Sequence, residues 1–149
     1  MAFPIATSLG SVAAIIETRI NAWWVTDQGK SATHIAWPNV DFVQPTDTEW
    51  LQVAINFGES FQRNFCDTTS QNQRVGILTL TIFGAKTVGR ASLDALAASA
   101  MAKFERQIVQ GVEFFGVSGG NDIADPALAS AQVTIRFSFY ETVAPGVTV

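Results

Sequence analysis

The chain has 149 residues and a formal net charge of −4, so it is the size of one domain with one core. Charged residues make up only 15%, against about 25% in an average soluble domain, which favours a subunit of an assembly over a free-standing enzyme. The acidic balance, without any Lys/Arg-rich run, excludes a basic nucleic-acid-binding surface. The single cysteine excludes an internal disulfide and favours assembly in the cytoplasm, and no apolar run is long enough for a membrane helix.

The first predicted element is a helix from Ser11 to Trp24. Polar residues occupy its other side, as expected for a helix that packs on a core. Its apolar positions recur at helical spacing: Val12, Ile15 or Ile16, Ile20 and Trp23.

Two strands and a hairpin arm are predicted next. The segment THIAWPNVDFVQP predicts an edge segment broken at Pro38 and Asn39, because Pro38 and Pro45 exclude a central strand. TEWLQVAINFGES alternates and predicts a half-buried strand with Leu51, Val53, Ile55 and Phe57 on one face. The polar stretch from Phe61 to Gln73 predicts a long hairpin arm leading into a second strand, RVGILTLTIFGA.

A second helix is predicted to begin with Ser92 as N-cap, or nearer Gly89, and to end at Gly111. Its predicted apolar stripe consists of Leu93, Ala97, Ala100, Phe104 and Ile108.

The last third of the chain predicts two more strands. VEFFGVSGG is a strand ending in a glycine turn, NDIADPALA is a loop, and QVTIRFSFYE is a strand. The inward positions of that final strand are Val133, Ile135, Phe137 and Phe139. Residues 142–149 are predicted to form an irregular tail, since they contain Pro145 and Gly146.

This order of elements predicts an α+β fold in a single domain, residues 1–149: an antiparallel or mixed β-sheet with two helices packed on one face. The helices cover the face carrying Leu51, Val53, Leu78, Leu80, Val133 and Ile135. Nothing further in the chain is expected to cover the opposite face, which carries Trp50, Ile77, Thr79, Phe83, Thr134, Arg136 and Tyr140. Its mixture of apolar and polar groups is typical of a surface that contacts other proteins.

The sequence offers little that enzymatic chemistry requires. His34 is the only histidine and Cys66 the only cysteine, so the chain cannot supply a zinc site of the usual His and Cys kind. His34 accompanies no G-x-S-x-G elbow, and the glycine-rich GVSGG lacks the lysine of a phosphate loop. We therefore predict no catalytic, metal or cofactor-binding residues. A small enzyme or ligand-binding domain stays open as the alternative of another class.

Three stretches together resemble the tail terminator (tail completion) proteins of long-tailed bacteriophages. IAWPNVDFVQP followed by EWLQV is similar to the first-strand pattern of that family. QRVGILTLTIFGAKTVGRASLDALAASAMAKF resembles its signature of a basic residue, an apolar strand, a turn with Lys and Gly, and an Ala-rich helix ending in Phe. ASAQVTIRFSFYE resembles its closing strand, so the resemblance covers most of Ile35 to Glu141 in the family's order.

The resemblance implies a structural virion protein at the neck end of the tail, assembled in the host cytoplasm. It implies a homohexameric ring that caps the tail tube, with the tail tube protein below, head-completion or connector proteins above, and DNA only passing through the channel. A head-tail connector or a tail-tube protein is the alternative within this class.

The contacts of such a subunit are predicted on the arm and on the uncovered sheet face. The arm contributes apolar anchors and basic side chains, which suit the apolar core and the polar rim of an interface. The candidate interface residues are Phe61, Arg63, Phe65 and Arg74 on and beside the arm, and Trp50, Ile77, Phe83, Arg136 and Tyr140 on the sheet face.

Overall fold

Two helices and a six-stranded mixed sheet make up the computed structural model, which describes residues 9–45, 48–65, 70–85, 91–121 and 128–143. The strands follow the order β1-β2-β3-β6-β5-β4. Only the β1–β2 pair is parallel, and the other pairs are antiparallel. The predicted α+β fold is therefore confirmed. The strands are β1 Ile35–Ala36, β2 Trp50–Phe65, β3 Ser70–Ala85, β4 Ile108–Val109, β5 Val112–Asn121 and β6 Leu128–Val143.

The first helix, α1, spans Leu9–Asn21 and continues as a π-helical segment, Ala22–Asp27. The predicted apolar stripe is confirmed, and it is Ile16, rather than Ile15, that is fully buried. Trp23 and Trp24 are both buried in the π-helical segment, because the wider turn there directs two successive side chains towards the core.

The second helix, α2, spans Ala91–Phe104 and ends seven residues before the predicted Gly111. The prediction that Ile108 continues its stripe is wrong, because Ile108 lies in β4 with 73% of its surface exposed. The chain leaves the helix through Arg106 at φ 56° and returns through Gln110 at φ 50° and Gly111 at φ 87°. These left-handed residues make the short β4–β5 hairpin that ends the helical path.

The core lies between the helices and one sheet face, which we call the inner face. The six residues predicted on that face are all buried: Leu51, Val53, Leu78, Leu80, Val133 and Ile135. In β6, Phe137 and Phe139 are fully buried as well, as predicted. Their rings meet Phe57 edge to face, at centroid distances of 5.8 and 6.5 Å. Strand alternation thus placed the core face correctly in β2, β3 and β6.

Three polar contacts fix the helices to one another. Arg19 of α1 donates from Nη2 to the carbonyl oxygen of Lys103 at 2.7 Å, which satisfies a terminal acceptor of α2. The Lys103 ammonium pairs with Asp27 at 2.9 Å. Trp23 donates from Nε1 to Ser99 Oγ at 2.9 Å, so this buried indole is fully partnered.

Strand β6 is longer than predicted. It extends to Val143, and its last residues pair with the start of β3, Val143 with Ser70 and Thr142 with Gln71. The prediction of an irregular tail is therefore wrong for Thr142 and Val143. The rest of the predicted tail, residues 144–149, lies outside the described part of the chain.

Candidate functional site

The sheet face away from the helices, here called the outer face, collects the residues that the sequence singled out. Cross-strand pairing joins Trp50 to Phe83 and Ile77 to Arg136. Thr79 pairs with Thr134 in the row between them. Because directly paired residues share a face, the predicted grouping of these side chains is confirmed.

One end of the outer face is covered by the chain itself. Residues 37–45, here called the strap, cross this end, and the ring of Phe42 lies 5.2 Å from that of Trp50. Trp50 in turn stacks on Phe83 at 4.3 Å, and each of the two is only 9% exposed. The prediction that nothing covers Trp50 and Phe83 is therefore wrong. The strap has no periodicity to reveal it, although an aromatic residue between two prolines was a usable signal.

An ion pair joins the two segments that flank the strap, one before β1 and one before β2. Lys30 Nζ and Glu49 Oε2 form an ion pair at 2.9 Å beside Trp50. The hydrogen bond from the Lys30 ammonium lowers the pKa of the Glu49 carboxyl, and burial opposes that shift. The carboxylate therefore stays ionised and paired at neutral pH.

The middle of the outer face is open and forms a groove of about 480 Å³. Ile77 is 42% exposed and Phe115 39% exposed in this groove, and Arg136 lies between their strands. Among the described residues Arg136 makes no ion pair. Within the described ranges, the site thus combines apolar side chains with one cation that has no ion-pair partner.

A β-bulge builds one wall of the groove. Phe114 pairs with Phe137 and Val117 with Ile135, so Phe115 and Gly116 both lie opposite Arg136. The extra residue lets Phe114 and Val117 both face the core, while Phe115 lies on the outer face. Phe115 is not among the residues predicted from the sequence. The usable signal is the spacing of Phe114 and Val117, since two core-facing residues three positions apart break the period of two in a strand.

The predicted hairpin arm is formed by the far ends of β2 and β3. Phe61 pairs with Gln73 and Phe65 with Ser70. The β2 side carries two irregularities, between Phe57 and Ser60 and around Arg63, which increase the local twist. Phe61 is 46% exposed, as an interface anchor must be. The side chains of Arg63 and Phe65, and residues 66–69, lie outside the described part of the chain.

Arg74 and Tyr140 differ from the other candidates in their surroundings. Arg74 Nε forms an ion pair with Glu141 Oε1 at 2.7 Å, so this guanidinium is already held by its own chain. Tyr140 pairs with Gln73 across the sheet and is half-buried. The groove residues Ile77 and Arg136 are therefore better placed for a partner than Arg74 is.

Within the described ranges, no three His, Cys, Asp or Glu side chains are grouped as metal ligands would be. No described helix is both long and apolar enough to cross a membrane. His34 lies in a 3₁₀ turn before β1, half-buried at the base of the strap.

The architecture is that of a small α+β domain with one sheet face partly exposed. Residues 11–148 match the family model of phage tail terminator proteins. The chain belongs to this family and is a structural component of the phage tail, and hence of the virion. No curated protein matches the sequence.

Eight chains among solved structures match the fold. One of them superposes with a TM-score of 0.66 at 17% sequence identity, covering 97% of this chain and 100% of that one. At this identity the similarity shows a shared fold over the whole length and nothing about shared contacts.

Proposed function

We propose that the protein closes into a homohexameric ring on the end of the tail tube, ends tube growth there and joins the tail to the head-completion or connector proteins. Membership of the tail terminator family supports the proposal that the protein acts at the phage tail. The open groove with Ile77, Phe115 and Arg136 is the observation that carries the ring, because a closed ring needs a partly apolar contact surface on every subunit.

Charge supports a passive role towards DNA. Each copy carries a net charge of −4, so a ring of six copies is strongly acidic. An acidic channel repels phosphates, which lets DNA pass without binding. Assembly would take place in the host cytoplasm, where the single thiol stays reduced.

The proposal is tested by adding the purified protein to polymerising tail tube protein. We expect tube growth to stop at lengths set by the amount of added protein, with extra density at one tube end in electron micrographs. Light scattering should detect a multimer of this chain, at least when tubes are present. If only monomer is found with tubes present and tube lengths do not change, the ring is excluded. Incorporation along the tube would instead indicate a tail-tube protein, and binding to heads alone a connector.

The arm is proposed as the element that attaches the ring. Replacing Phe61, Arg63 and Phe65 together with serine should leave the fold of the monomer intact and abolish ring closure or tube attachment. Phe61 is 46% exposed, so its loss should cost binding more than folding. Circular dichroism and tube-capping assays measure the two effects. Ile108→Ser, which removes an exposed apolar side chain away from the arm, is the control and should cap tubes normally. A triple variant that caps tubes like the parent would exclude the arm.

A further inference from the structure

We propose that the groove on the outer face receives the strap of a second copy of this chain, with Asp41 of one subunit pairing with Arg136 of the next. This inference rests on the proposed ring and names the contact that would close it. It involves two surfaces that the structure leaves unsatisfied, one on the strap and one in the groove.

The strap presents an acidic and apolar edge to solvent. Phe42 points towards Trp50, while Asp41 and Val43 on either side of it are exposed, Val43 by 89%. This alternation puts Asp41 and Val43 on the same side, roughly 7 Å apart in an extended chain. Val40 is also 60% exposed. Val40 and Val43 are thus two exposed apolar side chains on a segment that Phe42 holds in place. Their exposure to water is unfavourable in a monomer, and a contact with another protein would bury them.

The groove has the complementary chemistry. Arg136 and Ile77 are direct cross-strand neighbours, so their Cβ atoms lie about 5 Å apart. With Asp41 on Arg136, Val43 reaches the apolar surface of Ile77 and Phe115. A volume of about 480 Å³ falls in the range of roughly 300–1,000 Å³ that accommodates drug-sized molecules, so the groove can take more than one side chain.

The strap cannot reach the groove of its own chain. Phe42 fixes the strap over Trp50, and the groove begins at Asn56, about 20 Å further along β2. The contact must therefore join different patches on two copies. Repeated contacts of that heterologous kind close into a ring when the rotation between neighbours allows it.

Charge reversal tests the pairing. Arg136→Glu and Asp41→Arg should each weaken self-association on tubes at least tenfold, because like charges then face each other. The double variant Arg136→Glu with Asp41→Arg should recover most of the affinity. The matched control, Arg136→Glu with Glu105→Arg, has the same net charge as the double variant and should not recover, since Glu105 lies outside both surfaces. Both sites are exposed, so thermal unfolding should stay at the parent temperature.

Cysteine cross-linking identifies the occupant. On a Cys66→Ser background, Val43→Cys combined with Ile77→Cys should give, after mild oxidation on tubes, a ladder of covalent multimers of this chain. Either cysteine alone should give nothing larger than a dimer.

Two results would overturn the inference: charge reversals that leave self-association unchanged, or a double variant that recovers no better than its control. If these occur while the parent still ends tube growth, only the strap contact fails and the proposed function stands. Loss of tube attachment by the charge variants without any ladder would assign the groove to the tube subunit. A parent protein that never caps tubes would remove the proposed function itself.

Discussion

Leu80→Ala should lower the free energy of unfolding by about 2–5 kcal/mol. Leu80 lies in the middle of β3, is fully buried, and pairs with Val53 on one side and Val133 on the other. Removing its side chain loses apolar burial and leaves a cavity between the sheet and the helices that the neighbouring strands cannot close. Urea denaturation of the monomer followed by circular dichroism measures the loss.

The matched control is Ile77→Ala, three residues earlier on the same strand. Its side chain lies on the outer face and is 42% exposed, so we expect a loss of about 1 kcal/mol or less. The difference between the two losses in unfolding free energy measures the contribution of burial on the inner face. Equal losses would contradict the assignment of inner and outer faces in β3.

Gly76→Ala should destabilise the protein by about 1–3 kcal/mol, although it adds a single methyl group. A methyl group on Gly76 would overlap the Cζ atom of Phe137 and lie 2.8 Å from the carbonyl oxygen of Asn56. Phe137 is the direct cross-strand partner of Gly76, and its ring is fully buried, so it cannot move aside freely. The change in unfolding midpoint, again measured in urea, tests this close contact.

Two variants isolate the cause. Gly116→Ala is the control, because a methyl group there meets no atom within 4 Å, and it should leave stability nearly unchanged. Gly76→Ala combined with Phe137→Leu should cost less than the two single losses added together, since the shorter side chain relieves the overlap. Strict additivity would show that the ring of Phe137 does not cause the effect.

The resemblance and the local patterns were enough for the family and for most of the core. Alternation in β2, β3 and β6 and helical spacing in α1 identified the buried face, because side chains repeat with fixed periods in regular elements. The end of α2 was misplaced at Gly111. The apolar stripe there runs on into Ile108, and only the left-handed backbone at Arg106 reveals that the helix has stopped.

The sequence by itself determined the class of fold, the face that packs on the helices, and the membership of a tail family, since each depends on periodicity or on motifs carried by consecutive residues. The tertiary structure alone decided which part of the outer face stays open. Phe42 covers Trp50 from a strap with no period, and a bulge brings Phe115 beside Arg136. Each contact joins residues of two different segments of the fold. Their geometry depends on strand register and backbone irregularity, and no local pattern encodes these.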